Sequence, residues 1–213
     1  MKTHRFLISI SIVVFATAVY ILGWSTLFTV SSIQIEGTNA YLSTTIKPGQ
    51  KLARVEPRTI ASEFEKLEWI ESAKVSRNWL NGKVTISLKE RTPIAIYNNR
   101  AIDGKGFSFL LRGQEVSGLP HIQAATVQSA ITAAGFFSAL PAEIADAVQV
   151  VKVVSGDVFI LEIVAHNRVI EVRWGQDVES SLKVKVYKAL VSQPENNKIN
   201  RIDLSAPHAP VVK

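Results

Sequence analysis

Residues 27–39 read LFTVSSIQIEGTN, and an alternation of period two begins there directly after a stretch without charge. Phe28, Val30, Ile33 and Ile35 are apolar, Ser31, Ser32, Gln34 and Glu36 are polar, and Gly37-Thr38-Asn39 closes the run. Such spacing puts the apolar set on one face of a strand, and the break of phase at Ser31-Ser32 predicts a slip or bulge.

The preceding residues 6–24, FLISISIVVFATAVYILGW, contain no ionisable group except Tyr20. As a helix they span about 28 Å, close to the hydrocarbon thickness of a bilayer. Lys2 and Arg5 flank one end, and Tyr20 and Trp24 lie toward the other. Positive flanking charge predicts a single-pass, type II anchor over residues 6–26. Residues 1–5 are then cytoplasmic and the rest of the chain lies outside the plasma membrane. Ala16-Thr17-Ala18 has the form of a signal-peptidase site, but the apolar run continues past it and exceeds the roughly 7 to 15 residues of a signal-peptide core.

Beyond the anchor, residues 57–67 (PRTIASEFEKL) begin with a proline suited to a first helical turn. They place Ile60, Phe64 and Leu67 on one stripe, which predicts an amphipathic helix. Residues 70–79 and 83–91 alternate around Asn81-Gly82, a hairpin signal. Strand, helix and hairpin make one small unit. Further on, residues 93–97, 100–103 and 107–111 are short strands, residues 125–139 an Ala-rich helix, and residues 148–154, 158–164 and 169–174 three strands of an antiparallel meander. Residues 178–190 read as a helix with Leu182, Val186, Ala189 and Leu190 toward the sheet and lysines away from it. Residues 199–204 and 209–213 form the last strands. The fold class expected is α+β.

Composition narrows the function. The sequence has no cysteine, so neither disulfides nor thiolate metal sites are available. Its 24 basic and 18 acidic residues give +6, of which +4 falls after the anchor. The excess is spread without a run of five, which reads as a solvated surface and gives no basis for nucleic-acid binding. His4, His121, His166 and His208 sit in unrelated contexts, no G-x-S-x-G surrounds a serine, and Gly104-x-Gly106 precedes a strand rather than a helix. Asp157 and Glu162 read as solvated strand ends. We therefore expect no catalytic residue, metal, cofactor or small-molecule substrate.

Three groups of residues carry the resemblance to a known family. They are F-x-V-x-x-I-x-I-x-G-x-N at residues 28–39, V-x-R-x-W at residues 75–79, and E-R-x-P-x-A at residues 90–95. Together they resemble the POTRA domain and domain junction of the FtsQ/DivIB cell-division family. Ile102-Asp103-x-x-Gly106, Leu119-Pro120 and Ile202-Asp203-Leu204 are similar to motifs further along that family. Leu80 departs from it, where a proline is usual, and residues 40–46 leave room for a first POTRA helix of only two turns. The resemblance implies a POTRA domain over residues 27–92 and a second domain over 93–213. It also implies a non-enzymatic scaffold at the division septum that binds FtsB (DivIC) and FtsL. A POTRA-type chaperone for export or outer-membrane assembly is the alternative, but neither a second POTRA copy nor barrel strands follow. An exterior wall hydrolase is the enzyme alternative.

Two readings of the candidate partner site stand open. Arg77 and Trp79 share a strand face, as a docking surface or as an internal cover. Asp103 reads as a turn residue. Ile202, Leu204, Val211, Val212 and Tyr187 correspond to the last strands and preceding helix through which the family binds FtsB. As a final strand, residues 209–213 would be an edge open to strand addition, with Pro210 tolerated there, and the rival reading is a frayed tail.

Overall fold

A computed structural model describes residues 2–23, 28–112 and 118–213, with the side chains of residues 2–5, 22 and 23 outside that set. The chain divides into two compact units, Met1–Arg91 and Thr92–Lys213.

The first unit opens with α1 (Lys2–Gly23). Its described side chains, residues 6–21, give about 24 Å of helix against about 30 Å of hydrocarbon. Among the described residues no helix is long and apolar enough to cross a membrane. Trp24 and Leu27 lie outside the described residues, as do the side chains of Lys2 and Arg5.

β1 (Ser32–Glu36) follows, with Ile33 and Ile35 half-buried and their polar neighbours exposed. The phase break at Ser31-Ser32 is a change of partner. Residues 28–30 pair with residues 49–52 through Val30 N–Gln50 O at 2.8 Å and Leu52 N–Phe28 O at 3.0 Å. Ser31 then donates to Gly82 O at 2.9 Å, and β1 joins a sheet. No helix forms at residues 40–46. Thr44, Thr45 and Ile46 are β-branched and Pro48 disfavours helix just before it, so this stretch is irregular and the 3-10 turn at Leu52–Arg54 follows it.

α2 (Pro57–Glu65) starts on Pro57 and buries Ile60 and Phe64, at about 1.5 to 3 kcal/mol for each such side chain removed from water. It packs on β2 (Ile70–Arg77), which is antiparallel to β3 (Lys83–Glu90), and β3 is parallel to β1, giving the order β1-β3-β2. The hairpin exists, but its loop runs over residues 78–82, with Asn78 N bonded to Lys83 O and Gly82 N to Asn78 O. Gly82 has φ +71°, and a Cβ there would lie 2.4 Å from Thr29 O. Both the turn and the close approach of the entering strand require glycine.

The second unit contains β4 (Pro93–Tyr97), β5 (Arg100–Asp103), β6 (Ser108–Leu110), β7 (His121–Gln123), α3 (Val127–Ala139), α4 (Ala142–Ala145), β8 (Val148–Ser155), β9 (Val158–Ala165), β10 (Arg168–Gly175), α5 (Ser180–Val191), β11 (Arg201–Asp203) and β12 (Val211–Val212). Its nine-stranded sheet has the order β12-β11-β10-β9-β8-β7-β4-β5-β6. The expected antiparallel sheet is corrected to a mixed one. β4–β7, β7–β8 and β10–β11 pair parallel, because α3 and α4 carry the chain from β7 across to β8, and α5 carries it from β10 to β11. Ala130, Ala133, Ala134 and Phe136 of α3 lie in the core with Val151, Leu161, Ile163 and Val172 of the sheet. Thr126 caps α3 by accepting from Ser129 N at 3.1 Å.

Candidate functional site

The end of the second unit is built around α5. Glu179 enters it at φ +53°, and the inward stripe is Lys183, Val184, Tyr187, Leu190 and Val191. Of the expected stripe of Leu182, Val186, Ala189 and Leu190, Val186 and Leu190 pack on the core, Ala189 is exposed, and Lys183 and Tyr187 are the most deeply buried positions. The unexpected member of the inward face is a buried lysine. Lys183 Nζ donates to Trp174 O at 2.6 Å and to Gln176 O at 2.7 Å, satisfying carbonyls at the end of β10. Burial holds this ammonium below the usual lysine range, and Asp177 and Glu179 counter part of that effect. Tyr187 is buried, and burial raises its phenol.

The chain then returns as β11, parallel to β10. Ile202 and Leu204 point into the core, fully buried. Burial drives the Asp203 carboxyl up, but the Ser205 hydroxyl at 2.6 Å and amide at 3.0 Å, with Arg173 and Arg201, outweigh it and hold the group below the usual carboxylate range. That turn sends the chain over Ser205 and back as β12. Lys213 N donates to Arg201 O at 3.0 Å, and Arg201 N donates to Lys213 O at 3.1 Å. The two residues are therefore a hydrogen-bonded pair, and by antiparallel alternation the next pair, Ile202 and Val212, is not. Val212 N–H and C=O thus face away from β11, along the open side of the sheet. Pro210 has the same parity and supplies no donor.

The six predicted residues are placed as follows. Val211 and Val212 are 51% and 37% exposed on the edge strand. Ile202, Leu204 and Tyr187 have their side chains enclosed by the core, where they support the edge from beneath. Arg77 lies in the other unit, where its Nη1 donates to Leu52 O at 2.9 Å and Val55 O at 2.8 Å and its guanidinium sits 5.2 Å from the Trp79 ring centre. Those contacts tie Arg77 to the first unit's own backbone, and both Arg77 and Trp79 remain half-buried at its surface. Asp103 takes the turn role, accepting from Lys105 N at 2.9 Å and Phe107 N at 2.8 Å. Sequence reasoning missed Lys183, whose carbonyl partners are set by tertiary structure. Among the described residues no group of three or more His, Asp or Glu is placed to hold a metal.

Comparison with known proteins agrees with this architecture. Residues 28–91 match the family described as POTRA domain, FtsQ-type. Residues 95–205 match the family described as cell division protein FtsQ/DivIB, C-terminal, which stops short of β12. The chain is 25% identical to the cell division protein FtsQ of Streptomyces venezuelae over 231 residues, covering 98% of this chain and 83% of that protein.

Proposed function

Because the chain belongs to the FtsQ/DivIB family of cell-division proteins, we propose that it is a non-enzymatic membrane scaffold. It holds FtsB (DivIC) and FtsL and links them to septal wall synthesis. α1 is the anchor: the apolar run continues in sequence from Ile21 through Trp24, completing the length a crossing needs. Lys2 and Arg5 keep the amino terminus in the cytoplasm, and both folded units stand outside.

The observation that carries the binding role is the open side of β12. An extended partner segment adds there as a further strand, bonding to Val212 N–H and C=O and packing on Val211 and Val212. Main-chain bonds supply affinity and the side chains supply register. Ile202, Leu204 and Tyr187 keep the edge in place.

Depletion in the source bacterium should yield filaments or unseparated cells, and a reporter that folds only outside the cytoplasm should be active when fused after Lys213. Normal septation on depletion would remove the division role, and an inactive reporter with a stable fusion would remove the topology.

A further inference from the structure

The POTRA unit is electrically lopsided along its strands. β1 and β3 run parallel and β2 runs against them, so the start of β1 and the residue 78–82 loop share one end, while Glu36 and Glu90 share the other. The first end carries Lys51, Arg54, Arg58, Arg77 and Lys83 against two carboxylates, Glu56 and Glu63, which line one cleft with Arg54. It includes the start of α2 because Arg77 binds Val55 O. The far end has five carboxylates, Glu36, Glu65, Glu68, Glu71 and Glu90, against three basic side chains.

The basic end also presents apolar surface. Leu80 at the loop tip is 98% exposed, and beside it Trp79 is half-buried with its ring 6.0 Å from that of Phe28. Phe28 is where the chain arrives from α1. From Gly23 to Thr29 the backbone can span at most about 21 Å, so this end of the unit stays within that distance of the end of α1. An exposed leucine, an amphipathic indole and a cluster of lysine and arginine are the side chains that an anionic membrane interface takes up.

We propose that the basic end of the POTRA unit is a lipid-contact surface. Leu80 and Trp79 enter the headgroup layer of the outer leaflet, and Arg54, Arg58 and Lys83 face anionic headgroups. The contact rests on α1 being the anchor, and it fixes the tilt of the first unit over the bilayer.

The sequence has no cysteine, so single labels are clean. The full chain, one copy per phosphatidylglycerol-containing nanodisc, is labelled with an environment-sensitive dye at Leu80→Cys, Ser72→Cys or Val13→Cys. Lipids spin-labelled in the headgroup or the acyl chain serve as quenchers. The expected result is headgroup quenching at position 80 and little at 72, acyl-chain quenching at 13, and a fall at 80 of about tenfold or more in contact when Arg54 and Lys83 are both changed to Glu. Quenching at 13 with position 80 no more quenched than 72 overturns the proposal and leaves the anchor standing. No quenching at 13 or 80 removes the anchor and this contact together. Protection at 80 that appears only when another division protein is added assigns the surface to a protein and overturns the lipid contact.

Discussion

Removing residues 209–213 is expected to abolish co-purification with FtsB while the chain keeps its thermal transition. The segment contributes little to the core: Val211 and Val212 are exposed, and it is tied on by its short ladder with β11, by the bonds between Lys213, Asn200 and Arg201, and by Ala209 N–Ala206 O. It contributes the whole open side of β12, and losing it should weaken binding about a hundredfold or more, close to 2.7 kcal/mol. Truncation also uncovers β11, so a second variant isolates the edge. Val212→Pro removes the outward N–H while leaving the Lys213–Arg201 pair in place, and it should weaken binding about tenfold. Titration of the purified chain with FtsB reads both. Binding by the truncated chain as tight as by the full chain would move the site elsewhere.

Trp174→Ala should produce the largest loss of stability. Trp174 is fully buried, edge-on to Phe136 at 5.8 Å, and Phe136 stacks on Phe159 at 4.2 Å. Deleting a buried indole costs about 3 to 5 kcal/mol. Here it also leaves a void beside the Lys183 ammonium, whose partner is the Trp174 carbonyl. Trp174 Nε1 finds no protein acceptor, so Trp174→Phe removes an unpaired donor and should cost far less than the alanine change. Thermal denaturation of the two variants is the check. An alanine variant that melts within a degree or two of the parent would show that this aromatic layer does not hold the second unit together. Because α5 and β11 pack on it, FtsB binding should fall along with stability.

The parts legible in the sequence are those where one face of a long element is buried. Residues 148–175 show a period of two because Val151, Leu161, Ile163, Ile170 and Val172 line a core while their neighbours meet solvent. The β2–β3 hairpin and α2 were legible for the same reason. β7 was not, since three residues with one buried side chain, Ile122, leave no pattern to read. The parallel pairings were hidden because sequence order suggests neighbours and does not reveal crossovers. At the candidate site, chain order pointed to an edge strand over residues 209–213, of which Val211–Val212 is β12. It could not separate Val211 and Val212, whose side chains are accessible, from Ile202 and Leu204, whose side chains are enclosed. Lys183 defeated the reading altogether: a lysine on a helix reads as solvated, and only folding places two carbonyls opposite its amine.

Pro210 and the two-residue length of β12 also bear on self-association. Two copies of the chain pairing edge to edge would share only the bonds of Val212 with its symmetry mate. So few bonds do not hold a homodimer through this edge or seed a growing cross-β stack. An edge this short is therefore a poor template for its own kind, and sedimentation of the second unit should show no self-association through β12 even at high concentration.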